Sequence, residues 1–352
     1  MVGPPGRTGV SRRMIVTAGW NLEVDDPSRI HGAETAARLA GLTAGLAARD
    51  VAACELAAVE LATNLTRYAD AGRLLINAFG PEPGMVQLVA VDKGPGIGDV
   101  GASMVDGYST TGDSLGAGLG ACRRIAAVFD LYSLPGQGTA VLVQIGRVDA
   151  AEPAVRVGGV VTPHPAETAI GDGWGAVRSG DLLTLAVVDG LGHGVKAADA
   201  RHVALETVRR RPDAEPQGML DELDAALRGT RGAAGAVAQV DTRSGGMRFG
   251  GVGNLTARLH RGPRVDVLVS RPGILGMGKR PRSYERGPVP WTDPGMLVVS
   301  TDGVGGWDLG RYPGVERRHP AIAAALIWRD AWRGTDDATV VVASRSPARG
   351  TA

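Results

Sequence analysis

Cysteine is scarce in this sequence: among 352 residues there are two, Cys54 and Cys122, both in apolar stretches with helical spacing. That scarcity excludes a disulfide framework, and the two thiols read as buried and free. Long uncharged apolar runs are missing as well, and the opening MVGPPGRTGVSRR is polar and Gly/Pro-rich where a signal peptide would be apolar. No membrane partner is expected, and the protein is expected to be cytoplasmic. Nor does charge of one sign dominate, since 38 Lys and Arg face 37 Asp and Glu for a formal net charge of +1. Without a broad basic field, nucleic acid is not an expected partner. No fixed-period repeat is present.

What remains is an ordinary folded composition, 44% hydrophobic and 21% charged, with 53 glycines that imply many tight turns. The length favours two domains. From Ser28 to about Tyr68 the Ala/Leu-rich spacing predicts two helices broken near ARDVAA. RLLINAF, MVQLVAVD and TAVLVQIG read as strands, while CRRIAAVFD reads as helical. Helices on one side of an antiparallel sheet make an α/β sandwich. The polar segment RVDAAEPAV places a boundary near Asp149 to Pro153. Beyond it, AVRVGGVV, ETAIGDGWGAV, LLTLAVVDG, AAGAVAQVD, GMRFGGVG, RVDVLVS, MLVVSTDG and ATVVVAS are strand-like. Helices are expected near Lys196 to Arg210, Gln217 to Arg228 and Pro320 to Trp332, giving two sheets flanked by helices. The first dozen residues and the terminal SRSPARGTA read as disordered.

SLGAGLGA, Ser114 to Ala121, has the alternating glycines of a dinucleotide loop but no strand before it, because the polar VDGYSTTGD precedes it. Successive glycine N–H groups opening a helix form an anion cradle instead. Upstream, Glu60 and Asn64 in AAVELATNLTRYAD share one helix face, with Tyr68 next along it. Such a pair can place a proton acceptor beside a Mg²⁺ ligand; taken alone, it reads better as the solvated stripe of an amphipathic helix. VAVDKGPGIG puts Asp92 at a strand end followed by Gly94, Gly96 and Gly98, where a carboxylate can read an exocyclic amine, or simply close a turn. GQGTAVLV places Gly138 and Thr139 at a strand start.

In this order the four elements resemble the nucleotide-binding fold of histidine kinases, gyrase, Hsp90 and the anti-sigma-factor serine kinases. ELATNLTRYA, DKGPGIGDVGASMVDGYSTTGDSLGAGLGACRRI and GQGTAVLV resemble the RsbT-like switch kinases, which phosphorylate STAS-domain proteins. The resemblance implies a histidine-kinase-like ATPase sandwich over 14–148 that binds ATP and Mg²⁺. Glu60 would be the general base, Asn64 the Mg²⁺ ligand and Asp92 the adenine reader. Gly94 and Gly96 would line the base, Gly116, Gly118 and Gly120 would cradle phosphates, and Thr139 would border the nucleotide. GYSTTGDS would be the mobile part of a lid.

Downstream, aspartates recur beside glycine at strand ends: Asp172 in IGDGW, Asp189 in VVDGLGHG, Asp302 in STDGVGG, and Asp336 and Asp337 in TDDATVVV. Each alone fits a turn. Gathered at one edge of a sandwich, their repulsion would call for divalent cations, and two ions about 3.5–4 Å apart can orient a phosphate and generate hydroxide. VVDGLGHG, STDGV, GGVGN and PGILGMG resemble the PPM serine/threonine phosphatases, in particular the SpoIIE-like branch that includes RsbX. The resemblance implies a PPM-type α-β-β-α sandwich over 154–345 with two Mn²⁺ or Mg²⁺ ions, all-oxygen sites suiting hard cations. Asp189 would bridge the ions with the Gly190 carbonyl joining the second; Asp302 and Asp336 would complete the first, and Asp172 would bind directly or through water. Asp337 would sit behind the ligands. His193 is either a general acid or a residue that shapes the turn.

The combined expectation is a two-domain α/β regulator that phosphorylates and dephosphorylates a STAS-domain anti-sigma-factor antagonist or stressosome scaffold protein. A sigma factor or a downstream phosphatase is a further expected partner. The alternative is a phosphatase whose ATPase-like domain is a nucleotide-dependent binding module.

Overall fold

The computed structural model describes residues 12–80, 84–98, 118–147, 154–278, 286–291 and 295–345. In the first part, β1 (Arg12–Glu23) is followed by α1 (Ile30–Thr43), α2 (Ala48–Tyr68), β2 (Arg73–Phe79) and β3 (Met85–Val91). Then come α3 (Gly118–Ile125), β4 (Val128–Ser133) and β5 (Thr139–Gly146). The second part runs β6 (Val155–Thr162), β7 (Asp172–Ser179), β8 (Leu182–Gly190), α4 (Val195–Arg210), α5 (Pro216–Ala226) and β9 (Ala233–Asp241). It continues through β10 (Gly246–Val252), β11 (Thr256–Arg261), β12 (Arg264–Leu268), β13 (Arg286–Pro290), β14 (Gly295–Ser300), α6 (Pro320–Ala331) and β15 (Ala338–Arg345).

These strands form one ten-stranded sheet, ordered β13-β10-β9-β8-β7-β1-β2-β3-β5-β4, and one five-stranded sheet, ordered β12-β11-β14-β15-β6. β1 joins the two parts. Its residues Arg12 to Ile15 pair with β7, and Val16 to Glu23 pair with β2. The register shifts between Val16 and Ala18, a bulge that bends the strand from one partner to the other. Arg201 of α4 donates to Thr17 O at 3.2 Å inside that bulge.

The first-part sheet is buried on both faces, which is why β2 and β3 read as continuous apolar runs. Leu74, Ile76 and Leu88 point toward α1 and α2, whose Ala33, Ala37, Ala57 and Ala58 let the helices approach closely. Leu75, Val89, Val91 and Leu142 point the other way, into a core shared with Val160, Ile322 and Trp328 of the second part. On this second face Asn77, Gln87 and Gln144 are successive register partners across β2, β3 and β5. Asn77 Nδ2 donates to Val161 O at 2.7 Å, Gln87 Nε2 to Gly159 O at 2.8 Å, and Gln144 Nε2 to Gln87 Oε1 at 3.0 Å. Two buried amides, Asn77 and Gln87, thus bind the backbone of β6 across the seam and Gln144 braces Gln87, satisfying groups that would be costly to bury unpaired.

The predicted helical run CRRIAAVFD is corrected here: α3 ends at Ile125, and Val128 begins β4, paired along β5. β-branched and aromatic side chains in VFDLYS gain more from the sheet edge than from another helical turn. The break between α1 and α2 falls at residues 44–47, so ARDVAA opens α2. Cys54 and Cys122 are free and fully buried, and burial pushes both thiols up to about 12. No helix among the described residues is long and apolar enough to cross a membrane.

Candidate functional site

In the first part, α2 carries Glu60 and Asn64 on one half-buried face. Gly118, which opens α3, lies directly against them: a Cβ there would stand 2.6 Å from Glu60 Oε2 and 3.7 Å from Asn64 Nδ2. A side chain at that position would displace the Glu60 carboxylate from where it stands. Asn64 Nδ2 is buried and has no hydrogen-bond partner among the described residues. An orphaned amide N–H beside a glycine at a helix start suits a phosphate oxygen, and the same side chain's Oδ1 is the atom that would ligate Mg²⁺.

Asp92 lies just past β3, 9% exposed, with Oδ1 accepting from Gly94 N at 2.8 Å. Burial raises its pKa against the lowering effect of the Gly94 and Thr139 backbone bonds. Gly94 lies against Tyr68 O and the Asp92 carboxylate. Gly96 adopts a positive φ of 74° against Leu134 O, so its backbone freedom serves a turn. Thr139 Oγ1 is 2.9 Å from Ser133 Oγ, which also accepts from Ile97 N at 2.8 Å. Gly120 is buried in α3, while Gly116 and the segment GYSTTGDS lie outside the described residues. The structure therefore brings Glu60, Asn64 and Gly118 together and sets Asp92, Gly94 and Thr139 around a second corner.

The second site is built from strand ends. Asp172 opens β7 and is the register partner of Asp189 near the end of β8. Asp302 follows β14, and Asp336 and Asp337 precede β15, the strand beside it. Burial raises Asp172 well above the ordinary carboxylate range, with Asp189 adding to it. Asp189 is pushed up to about 7 by burial, then by the charges of Asp302, Asp336 and Asp337. Burial and Asp336 likewise raise Asp302.

Neighbours orient these carboxylates. Thr301 Oγ1 donates to Asp172 Oδ2 at 2.7 Å and itself accepts from Thr339 N at 2.9 Å. Asn254 Nδ2 donates to Asp302 Oδ2 at 2.5 Å. Asp337 accepts from His164 N and Gly171 N, both at 2.7 Å, which commits its two oxygens to holding loops. Gly190 N donates to Gly171 O at 3.1 Å, so the Asp189–Gly190 turn is tied to the loop before Asp172. Arg201 is a half-buried cation whose charge interacts with Asp337 and Asp172. His193 pairs with Glu167 at 2.9 Å and stacks on His164, with ring centroids 4.9 Å apart.

As they stand, no three His, Cys, Asp or Glu side chains among the described residues are gathered tightly enough to hold an ion. The donor chemistry nonetheless fits a hard divalent cation: all ligand atoms are oxygens, and mutually repelling carboxylates share one sandwich edge. Thr301, Asn254 and Arg201 were not singled out from sequence. Asn254 had a signal, being the last residue of GGVGN, whereas Arg201 looked like any charge on an amphipathic helix.

Comparison with known proteins defines the class. The model of the family Stage II sporulation protein E (SpoIIE) matches residues 179–346, beginning after Asp172. RsbX in complex with magnesium has a TM-score of 0.50 and 17% identity over 57% of this chain and 99% of that one, a likeness of fold. A structure described under "The bacterial stressosome: a modular system that has been adapted to control secondary messenger signaling" also scores 0.50. Its identity is 27%, over 54% of this chain and 98% of its own. The second part is thus a SpoIIE-type domain with the PPM phosphatase fold. Serine/threonine-protein kinase RsbT of Bacillus subtilis (strain 168) is 38% identical over 98 residues, 28% of this chain and 73% of RsbT. Through that segment the chain belongs to the RsbT family.

Proposed function

We propose that the chain is a bifunctional regulator in a partner-switching pathway that controls a sigma factor. One site phosphorylates serine or threonine of a STAS-domain protein with ATP, and the other removes the phosphate. The observation that carries this reading is the electrostatic convergence of Asp172, Asp189, Asp302 and Asp336, in the same chain as the Glu60–Asn64–Gly118 constellation.

In the first site Glu60 would accept the hydroxyl proton of the protein substrate, Asn64 would hold the nucleotide's Mg²⁺, and the start of α3 would receive phosphate oxygens. Asp92 would read the adenine amine. In the second, Asp189 would hold both ions and the Gly190 carbonyl the second, with Asp302 and Asp336 on the first and Asp172 binding directly or through water. Bound Mn²⁺ or Mg²⁺ would supply charge neutralisation and an activated water. Asn254 and Thr301 keep Asp302 and Asp172 aimed, and Asp337 fixes the surrounding loops. The domains are proposed to span 14–148 and 154–345.

A second reading makes the first part a nucleotide-dependent binding module for a STAS protein or sigma factor. It is favoured by the seam, through which the first-part sheet shares a hydrophobic core with the second part. The two readings separate on one experiment with labelled ATP and a STAS protein. Catalytic labelling by wild type that is lost in Asn64→Ala supports the kinase; stoichiometric, label-free capture of the partner by both wild type and Glu60→Gln supports the module.

A further inference from the structure

The base-reading corner of the first site is held by the second part. Arg329, in the last turn of α6, has a side chain only 8% exposed. Its Nη1 donates to Asp92 O at 2.8 Å and to Gln137 O at 2.9 Å. Nε and Nη2 each donate to Asp330 at 2.9 Å, which fixes the plane of the guanidinium. Asp330 also accepts from Tyr312 OH at 2.7 Å and lies 3.8 Å from Nζ of Lys93, the residue after Asp92. Two residues of the second part therefore grip Asp92, Lys93 and Gln137.

Gly138, at a φ of 81°, brings the turn so close that a Cβ would stand 2.0 Å from Asp92 O. The carbonyl is hemmed in on that side, and Arg329 of α6 supplies its hydrogen bond. Fixing the Asp92 carbonyl fixes the following peptide, and with it the Gly94 N–H that orients the Asp92 carboxylate.

We infer that Arg329 is a positioning residue for nucleotide-base recognition, so that the adenine-reading corner is a composite of both parts; this rests on the reading of Asp92 as the base contact. Arg329 reaches the base only through Asp92 and the turn at Gln137. Its loss leaves two carbonyls short of a donor and lets the corner relax, while the phosphate end at Asn64 and Gly118 keeps its geometry.

The test measures binding of a fluorescent ATP analogue to the full chain with Mg²⁺, with ATP, GTP and ADP as competitors. Wild type is expected to prefer ATP over GTP. Arg329→Ala should lose about tenfold in ATP affinity and most of the ATP/GTP preference, while the ATP/ADP ratio holds. Arg329→Lys, which keeps a charged donor, should recover most of the preference. A folded Arg329→Ala protein with wild-type affinity and ATP/GTP preference, altered only in melting temperature, would reduce Arg329 to a staple and overturn the inference. Should Arg329→Ala not fold, Asp330→Asn frees the guanidinium plane and must show the same loss in smaller measure; an unchanged preference there overturns it too. Wild type without any preference for ATP over GTP would overturn the reading of Asp92 itself.

Discussion

The second site draws its aspartates from strand ends far apart in the chain, and their carboxylates, from the buried Asp172 to the exposed Asp302, repel one another across one edge. In the first site the principal side chains, Glu60 and Asn64, lie one turn apart on a single helix, and backbone glycine closes the space beside them. The strand-end site stores repulsion that a cation relieves; the helix-face site leaves an amide unpartnered for a ligand to satisfy. Metal should therefore change the stability of the second site strongly, whereas nucleotide should complete the first with little electrostatic cost.

The largest expected effect is on the strand-end site. Asp302→Ala should lower metal-dependent release of phosphate from a phosphorylated STAS protein by more than about a hundredfold, while ATP-analogue binding is retained. Loss of both activities together would mean a folding defect and would erase the distinction between the sites. On the helix-face site, Glu60→Gln should slow labelling of the partner by about a hundredfold with ATP affinity unchanged. Undiminished labelling would move the base elsewhere.

A smaller effect sharpens the contrast in electrostatics. Asp189 has a folded-state pKa of about 7 against an ordinary 3.8, so the ion-free folded protein gains a proton there. That contribution is present below the unfolded value and is lost as pH rises through the folded one. In chelator, the melting temperature should fall between about pH 5 and about pH 8, and added Mg²⁺ or Mn²⁺ should raise it more at the higher pH. Equal shifts at both would show that the carboxylates do not share the ion. Smallest is the seam: Gln87→Leu strands Gly159 O and Gln144, and should cost about 1–3 kcal/mol in denaturant unfolding. A single transition for both parts is expected, because they share a sheet and a core.

Strands with continuous apolar character were legible in the sequence: β2, β5, β8 and β9 coincide with RLLINAF, TAVLVQIG, LLTLAVVDG and AAGAVAQVD. β1 was not, because its opening residues sit beside a Gly/Pro-rich stretch and its two pairings belong to different parts of the chain. β11 and β13 lack apolar runs and exist through their partners β14 and β10. The seam carried a signal, since Asn77, Gln87 and Gln144 each interrupt an apolar strand, but only cross-strand register reveals that they form one row. At the sites, motif residues could be named from sequence, Asn254 of GGVGN among those within reach, whereas Thr301, Arg201 and Arg329 act through contacts with distant segments that no local spacing encodes.

The most direct test of opposed activities in one chain is a time course with labelled ATP, a STAS-domain partner and divalent ion, comparing wild type with Asp302→Ala. The account predicts label that rises and decays with wild type but accumulates with the variant. No label on the partner with either protein would contradict it.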